Sequence, residues 1–582
     1  MTQALLESTR IQKKYMTEGH TDYVNRIVDA GVKFSNLATT FSNFLTSDTR
    51  FVLKEFEVNP FIFDFEGNFI AIDCFARFER RAQEQVDLTV PPKQTLKPFF
   101  EPKNIAVVGI SATDNSKSGN IIVKNLISLN RKNIYCVNPK GGEIKIAGRV
   151  LPLHRSIGEI EGPIDLAIIS VPAEATIPIV EDCARMNVRA IILIPGGFSE
   201  ISKNIDVEKR ILDICRENRI RVMGPNCLGI VYAGDGEGDG MNTFFIPEEK
   251  FSIDLERKDR NVAILSQSGA LGITEIYNMR NAIAPKVIVS YGNQIDIDAS
   301  DLANYFENNP VVDVIGFYIE GFRRGAGRKF FNTTRRSKKP IIVYKAGRTE
   351  AGKLAAQSHT ASISGEYAVC KAAMKQAGLV VADTMLDHGD FIKTFALLHD
   401  FEVTGNRVAI VTNAGYEKTY AADNIGGLTL SVLDDETKSA LVKVLPGFVK
   451  ADTLLDLTAM ASDELFERCI EILLRSKTTD ALFISIVPQA QVIHTTDREI
   501  DGYKLNIAAT IVEIVHRYKK PTVVSINVVS GSDAVYNKLG QVLDMGRVPT
   551  FLTAERAMVC LNEFIKYRTT KDSKAYSEWL RE

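Results

Sequence analysis

A single histidine stands in the stretch QSHTASISGEY (357–367), among small and hydroxyl-bearing residues. A neutral imidazole can act as a nucleophile near neutral pH. The stretch follows an apolar run, IIVYKAG, and a glycine- and lysine-bearing loop, and it precedes a helical pattern. That order predicts an exposed loop for His359. Upstream, SQSGAL (266–271) ends another apolar run and opens a helix. A strand-to-helix turn of this kind aims successive backbone N–H groups at an anion, so Ser266, Ser268, Gly269 and Ala270 form a candidate phosphate cradle. A plain capped helix is the bland alternative. Glu320, in FYIEG, closes the apolar run between these two motifs. A further set lies near the N-terminus, where FEVNPFIFDFEGNFIAIDCFARFE (56–79) reads as two strands around a turn at Glu66-Gly67-Asn68. It places the carboxylate and amide oxygens of Glu57, Asn59 and Asp73 on adjacent strands, unless it is simply a solvated hairpin.

These residues need a scaffold, and from about residue 101 the pattern supplies one. Short β-branched apolar runs alternate with amphipathic stretches, the signature of parallel sheets covered by helices on both faces. Three blocks separate: Ile105 to Ile230; NVAILSQSG (261–269) to about 384; and NRVAIVTNAG (406–415) to a helix near 554–568. Blocks two and three both open on V-A-I-aliphatic-[ST]-x-[AS]-G and both carry K-K-P-[IT]-[IV]-V. They read as a duplicated flavodoxin-like unit. In block one the candidate ligand residues fall where strands end: Gly109 and Ser111 after IAVVG, then VNPK (137–140), VPAEA (171–175), PGGFSE (195–200) and GPNCLG (224–229). Ligands of open α/β sheets bind at such carboxyl ends. The charged, proline-bearing stretch 79–100 is expected as a linker, and GDGEGDG (234–240) as a flexible loop.

With 582 residues, the chain is long enough for about four domains. A net charge of -2, from 70 Lys+Arg and 72 Asp+Glu, argues against nucleic acid or an anionic membrane as a main partner. The apolar runs are strand-length and the N-terminus lacks a signal-peptide core, so a cytoplasmic protein is expected. The eight cysteines are scattered without metal-ligand spacing and are expected as buried free thiols.

Taken together, the motifs resemble the nucleoside-diphosphate-forming acyl-CoA synthetases, relatives of succinyl-CoA synthetase. The resemblance implies an α/β architecture: a partial ATP-grasp segment (1–80), a linker (81–100), a Rossmann-like CoA-binding domain (101–232), a phosphohistidine flavodoxin-like ligase domain (255–388) and a second such domain (400–572). It implies that Gly109, Ser111, Asn138, Lys140, Val171, Pro172 and Asn226 hold coenzyme A. His359 would carry a phosphoryl group and Glu320 would fix its tautomer; the family's Ser-His-Thr-Gly pattern has Ala361 here in place of glycine. E-x-N-P and a later Asp match the end of an ATP-grasp fold, where Glu57, Asn59 and Asp73 would hold the Mg²⁺ that bridges ATP or ADP phosphates. The glycine-rich loop and lysine of an ATP-grasp fold are absent upstream, which implies a hetero-oligomer whose second subunit completes the nucleotide site. Phe61, Phe63 and Phe69 are expected against that partner or within the completed sheet. Block three departs from the family: Tyr416-Glu417-Lys418-Thr419 replaces Gly-Pro-Gly after TNAG, and a carboxylate there competes for the seat of a phosphoryl group. The activity implied is acid + CoA + ATP ⇌ acyl-CoA + ADP + phosphate on a small carboxylic acid. A CoA-sensing subunit without turnover, or a phosphohistidine-relay ligase for an unusual substrate, is the alternative.

Overall fold

The structure is a computed structural model that describes residues 21–42, 49–81, 88–198, 204–234, 240–251, 261–279, 282–359, 366–527 and 534–571. The chain divides into two compact units, 1–89 and 90–582.

In the first unit the helix Thr21–Thr40 accompanies two antiparallel pairs, Phe51–Val58 with Cys74–Arg80 and Phe61–Phe63 with Phe69–Ala71. Phe61, Phe63 and Phe69, expected against a partner or within the completed sheet, are half-buried and meet aromatic rings of this unit. Phe61 stacks on Phe69 at 4.4 Å, Phe63 stacks on Tyr23 at 4.2 Å, and Phe34 meets Phe61 at 5.7 Å. The helix, which the motif alone does not reveal, satisfies them. On the other face of the hairpin the cross-strand pair Ile62 and Ile70 is exposed. The turn is built by Asp64, whose carboxylate accepts from the Glu66 and Asn68 amides at 2.9 and 2.7 Å.

The second unit holds three sheets. In the first, parallel strands run Arg149–His154, Ile134–Val137, Ile105–Val108, Leu166–Ile169, Ala190–Leu193 and Arg221–Met223 across the sheet, with Gly142–Ile146 antiparallel at one edge. Counting the parallel strands along the chain gives the order 3-2-1-4-5-6, that of a Rossmann fold. In the second sheet the parallel strands lie in the order Val287–Ser290, Val262–Ser266, Val314–Ile319, Ile341–Lys345, Val380–Ala382. In the third they lie Thr429–Leu430 and Leu454–Asp456 together, then Arg407–Thr412, Ala481–Ile486, Thr522–Ile526, Thr550–Phe551. Both follow the flavodoxin-like order 2-1-3-4-5. Apart from Gly142–Ile146, Arg149–His154 and Thr429–Leu430 at the sheet margins, the strands are mostly buried, as expected where helices cover both faces.

Two stretches at the edges of the expected blocks pack in ways that the sequence pattern does not show. The segment Gly229–Tyr232, read as the close of block one, pairs antiparallel with Val287–Ser290 and extends the second sheet. The stretch expected as a linker is free at most in part, because Leu96, Phe99 and Phe100 are buried and Phe100 stacks on Tyr305 at 4.8 Å. Three large apolar side chains outweigh the proline and charge that suggest a loop. An ionic cluster ties the same joint. Arg221 reaches Asp296 at 2.8 Å and Asp301 at 3.0 Å, and Lys329 reaches Asp298 and Asp301 at 3.1 and 3.0 Å. Six cysteines are buried, but Cys74 is exposed and Cys370 half-buried. Among the described residues no helix is long and apolar enough to cross a membrane.

Candidate functional site

The topological switch of the first sheet falls between Ile105–Val108 and Leu166–Ile169, which diverge to helices on opposite faces. Gly109 follows the first of these with φ +98°, and a Cβ there would lie 2.3 Å from the Ser170 carbonyl oxygen. Only glycine lets the two strand ends meet so closely. The next turn is held from below by Asn120, fully buried in the first turn of the helix Ser118–Ser128. Its Oδ1 accepts from the Ser111 amide at 2.8 Å and its Nδ2 donates to the Ser111 carbonyl at 2.9 Å. One strand over, Asn138 donates to the Ile110 carbonyl at 2.6 Å and accepts from the Lys140 amide at 2.8 Å. Lys140 itself is exposed and makes no ion pair among the described residues. Val171 and Pro172 lie across the switch, and Asn226, exposed with φ +57°, follows the edge strand. The Asn226 amide is tied to the Pro195 carbonyl at 2.9 Å. The seven residues expected to hold CoA therefore line one edge of the sheet.

The switch of the second sheet lies between Val262–Ser266 and Val314–Ile319. Here the candidate cradle and Glu320 come together. Ser266 Oγ donates to the Ser268 carbonyl at 2.6 Å and accepts the Ser268 amide at 3.1 Å, closing the turn before the helix Gly269–Met279. The next residue, Gln267, is buried and locks the turn to the opposite strand end. Its Oε1 accepts the amides of Glu320 and Gly321, and its Nε2 donates to the Gly321 carbonyl at 2.9 Å. Gly269 and Ala270 then expose the helix start.

The third sheet repeats the lock. Thr412 Oγ1 accepts the Ala414 amide at 3.0 Å, and Asn413 exchanges two bonds with the Val487 backbone at 3.0 and 2.8 Å. The variable position of the duplicated motif is thus an amide side chain in both copies, a signal that the two sequences already carry. Past this lock the copies diverge. Glu417, in the first turn of the helix Gly415–Asp423, is 1% exposed and turns beneath the helix. It accepts from Ser485 Oγ at 2.9 Å, Ser525 Oγ at 3.5 Å and Asn527 Nδ2 at 2.8 Å. Asp456 Oδ2 would lie 2.9 Å from a Cβ on Gly415, so a second carboxylate reaches the helix start where glycine leaves room. Loss of water, and next the adjoining Glu417, push the Tyr416 hydroxyl up to about 12. Lys418 makes no ion pair among the described residues and does not neutralise the two carboxylates.

His359 is the last residue of the helix Glu350–His359, which starts five residues after the strand Ile341–Lys345 ends. The expected exposed loop is therefore helical up to the histidine, because Ala351, Leu354, Ala355 and Ala356 are strong helix formers. The His359 side chain, and Ala361 with the rest of 360–365, lie outside the described residues.

In the first unit Glu57, Asn59 and Asp73 share one face. Strand pairing sets Val58 opposite Cys74, and the Asn59 amide donates to the Asp73 carbonyl at 3.1 Å. Asn59 Nδ2 stands 3.5 Å from Glu57 Oε1. All three are exposed, and two carboxylates with one amide oxygen suit a hard cation such as Mg²⁺.

A Rossmann-type sheet joined to two flavodoxin-like sheets, each with a locked strand-to-helix turn at its switch point, is a CoA-ligase architecture. Comparison with known proteins agrees with it. Residues 103–233 match a CoA binding domain and residues 259–395 a succinyl-CoA ligase like flavodoxin domain. The chain is 33% identical to acetate–CoA ligase (ADP-forming) I subunit alpha of Pyrococcus furiosus over 489 residues, 82% of this chain and 98% of that subunit. It is 33% identical over 498 residues to the acetate–CoA ligase (ADP-forming) of Methanocaldococcus jannaschii, 83% of this chain and 65% of that protein. The solved dinucleotide-forming acetyl-coenzyme A synthetase 1 of Ca. Korarchaeum cryptofilum, in complex with phosphate and ADP, superposes with a TM-score of 0.71 at 30% identity, covering 82% of this chain and 99% of that one. The chain belongs to the ADP-forming acyl-CoA synthetase family.

Proposed function

We propose that the chain is the CoA-binding, phosphohistidine-bearing subunit of an acid–thiol ligase that interconverts acid + CoA + ATP with acyl-CoA + ADP + phosphate. In the ATP-forming direction, phosphate displaces CoA from acyl-CoA and gives an acyl phosphate. The His359 imidazole takes the phosphoryl group and releases the carboxylate. ADP then takes the phosphoryl group from His359 and leaves as ATP. The observation that carries this reading is the switch point of the second sheet. There the Ser266–Ala270 turn and Glu320 are joined by Gln267, on the module whose next strand leads into the His359 helix. Phosphoryl transfer asks for positioning and charge stabilisation above all, and preset backbone donors supply both.

Gly109, Ser111, Asn138, Lys140, Val171, Pro172 and Asn226 would bind CoA, with the Lys140 ammonium on a phosphate. Glu57, Asn59 and Asp73 would hold Mg²⁺, which screens charge between nucleotide phosphates when bound. A second subunit would supply the remainder of the ATP-grasp fold; the family includes an α subunit that this chain matches nearly end to end, as well as longer single-chain enzymes. The test is labelling of the full chain from acetyl-CoA and radioactive phosphate. An acid-labile, base-stable phosphate that disappears in His359→Ala and forms more slowly in Glu320→Gln supports the reading. Label that persists in His359→Ala overturns it.

A further inference from the structure

The second sheet buries a lysine that the phosphohistidine relay leaves unused. Lys345 closes the strand Ile341–Lys345 and is 1% exposed. Its Nζ donates to the Glu320 carbonyl at 2.8 Å and to the Ala346 carbonyl at 2.6 Å. It lies 3.9 Å from where a Cβ on Gly347 would stand, and so beneath the turn that starts the His359 helix. Among the described residues no carboxylate oxygen comes within 4.0 Å of it and no third acceptor meets its remaining proton. Burial pushes the ammonium below its ordinary value, and the neighbouring Cys370 and Glu320 oppose this only in part.

A buried cation held by neutral carbonyls is costly and gains most where an anion arrives during the working cycle. The duplicated module provides the contrast. Strand pairing sets Lys345 beside Ile319, and at the equivalent place in the third sheet Ile526 stands beside Ile486. The same module has Val487 where the second has Glu320, and an internal carboxylate, Glu417, at the helix start. Lysine and glutamate thus occur together on the module that leads to the histidine and are both missing from its copy. Gln267, Gln294 and Lys345, from three strand ends, together fix the Glu320–Gly321 backbone; Gln294 donates to the Gly321 carbonyl at 3.3 Å.

We propose that Lys345 is a positioning residue of the phosphohistidine step: its ammonium fixes Glu320 through the backbone and supplies the buried positive charge that a phosphoryl group at the Ser266–Ala270 cradle balances. The inference rests on the assignment of that cradle. It is tested by calorimetric titration of the full chain with inorganic phosphate and, separately, with CoA. Lys345→Met should weaken phosphate roughly tenfold or more, the scale of one charge acting through protein interior. CoA affinity should not fall, and Lys345→Arg should restore phosphate binding. If Lys345→Met does not fold, Lys345→Gln takes its place, since it keeps a donor for the carbonyls and loses the charge. Phosphate binding equal to wild type in the neutral variant overturns the role of Lys345 alone. Absence of phosphate binding in the wild-type chain overturns the cradle assignment itself.

Discussion

Substituting Glu417 by glutamine probes whether the third sheet carries a closed anion seat. The carboxylate accepts from Ser485 and Ser525 on one oxygen and from Asn527 on the other. An amide of the same shape can accept on one side only, so its NH₂ faces either the Asn527 amide or the serine hydroxyls. One buried donor then loses its acceptor, at a cost of about 1–3 kcal/mol. For a module of this size that is roughly 2–10 °C in the unfolding midpoint. Glu417→Leu, which copies Leu271 from the duplicate module, strands donors on both sides and should lose more. The assay is calorimetric unfolding of wild type and both variants at pH 7. It is paired with phosphate titration of the wild-type chain, which should show about one site per chain because the internal carboxylate fills the second seat. A Glu417→Gln midpoint equal to wild type, or two equivalent phosphate sites in the wild type, would refute the reasoning.

Lys140→Glu should weaken CoA by about 1–3 kcal/mol, since a charge-assisted contact to phosphate becomes repulsion; unchanged affinity by calorimetry removes Lys140 from the site. The chain on its own should not bind Mg-ATP at micromolar affinity if a second subunit completes the nucleotide site, and tight binding unaided would show that none is needed. Burial pushes the Asp480 carboxyl up, but hydrogen bonds from Arg407 and Thr404 outweigh this and hold it below the usual 3.8. A lowered folded-state value stabilises the native form above the unfolded value and ceases to do so as pH falls through the folded one. The midpoint gap between wild type and Asp480→Asn should therefore be full at pH 7 and close below pH 3.8; a gap independent of pH would contradict this.

The architecture is legible because buried parallel strands write themselves as apolar runs, and the strand-end residues of block one are adjacent in sequence to those runs. Direction of side chains is less legible. The sequence places a carboxylate at the start of the Gly415–Asp423 helix, but only the structure shows Glu417 turned under it onto Ser485 and Asn527, residues 68 and 110 positions away. Phe61 and Phe63 read as a surface seeking cover, and the helix at 21–40 supplies part of it through Phe34 and Tyr23, a tertiary contact with no local signature. Asn120 and Lys345 give no sequence signal of their roles because each acts through backbone groups that the fold brings to it, whereas Gln267 is marked only by the amide at the same place in the duplicate motif. The strand at 229–232 illustrates a related limit of local pattern: its apolar run does not say which sheet it joins.

That shared strand has a mechanical consequence. The chain leaves the CoA-type sheet, gives Gly229–Tyr232 to its neighbour, and is pinned at the crossing by Arg221 and Lys329 on Asp296, Asp298 and Asp301. Rocking one sheet against the other would tear hydrogen bonds and separate buried charges at once, so the pair behaves as one rigid anvil. Cutting the chain after Tyr232 would not liberate the first module intact but would strip an edge from the second.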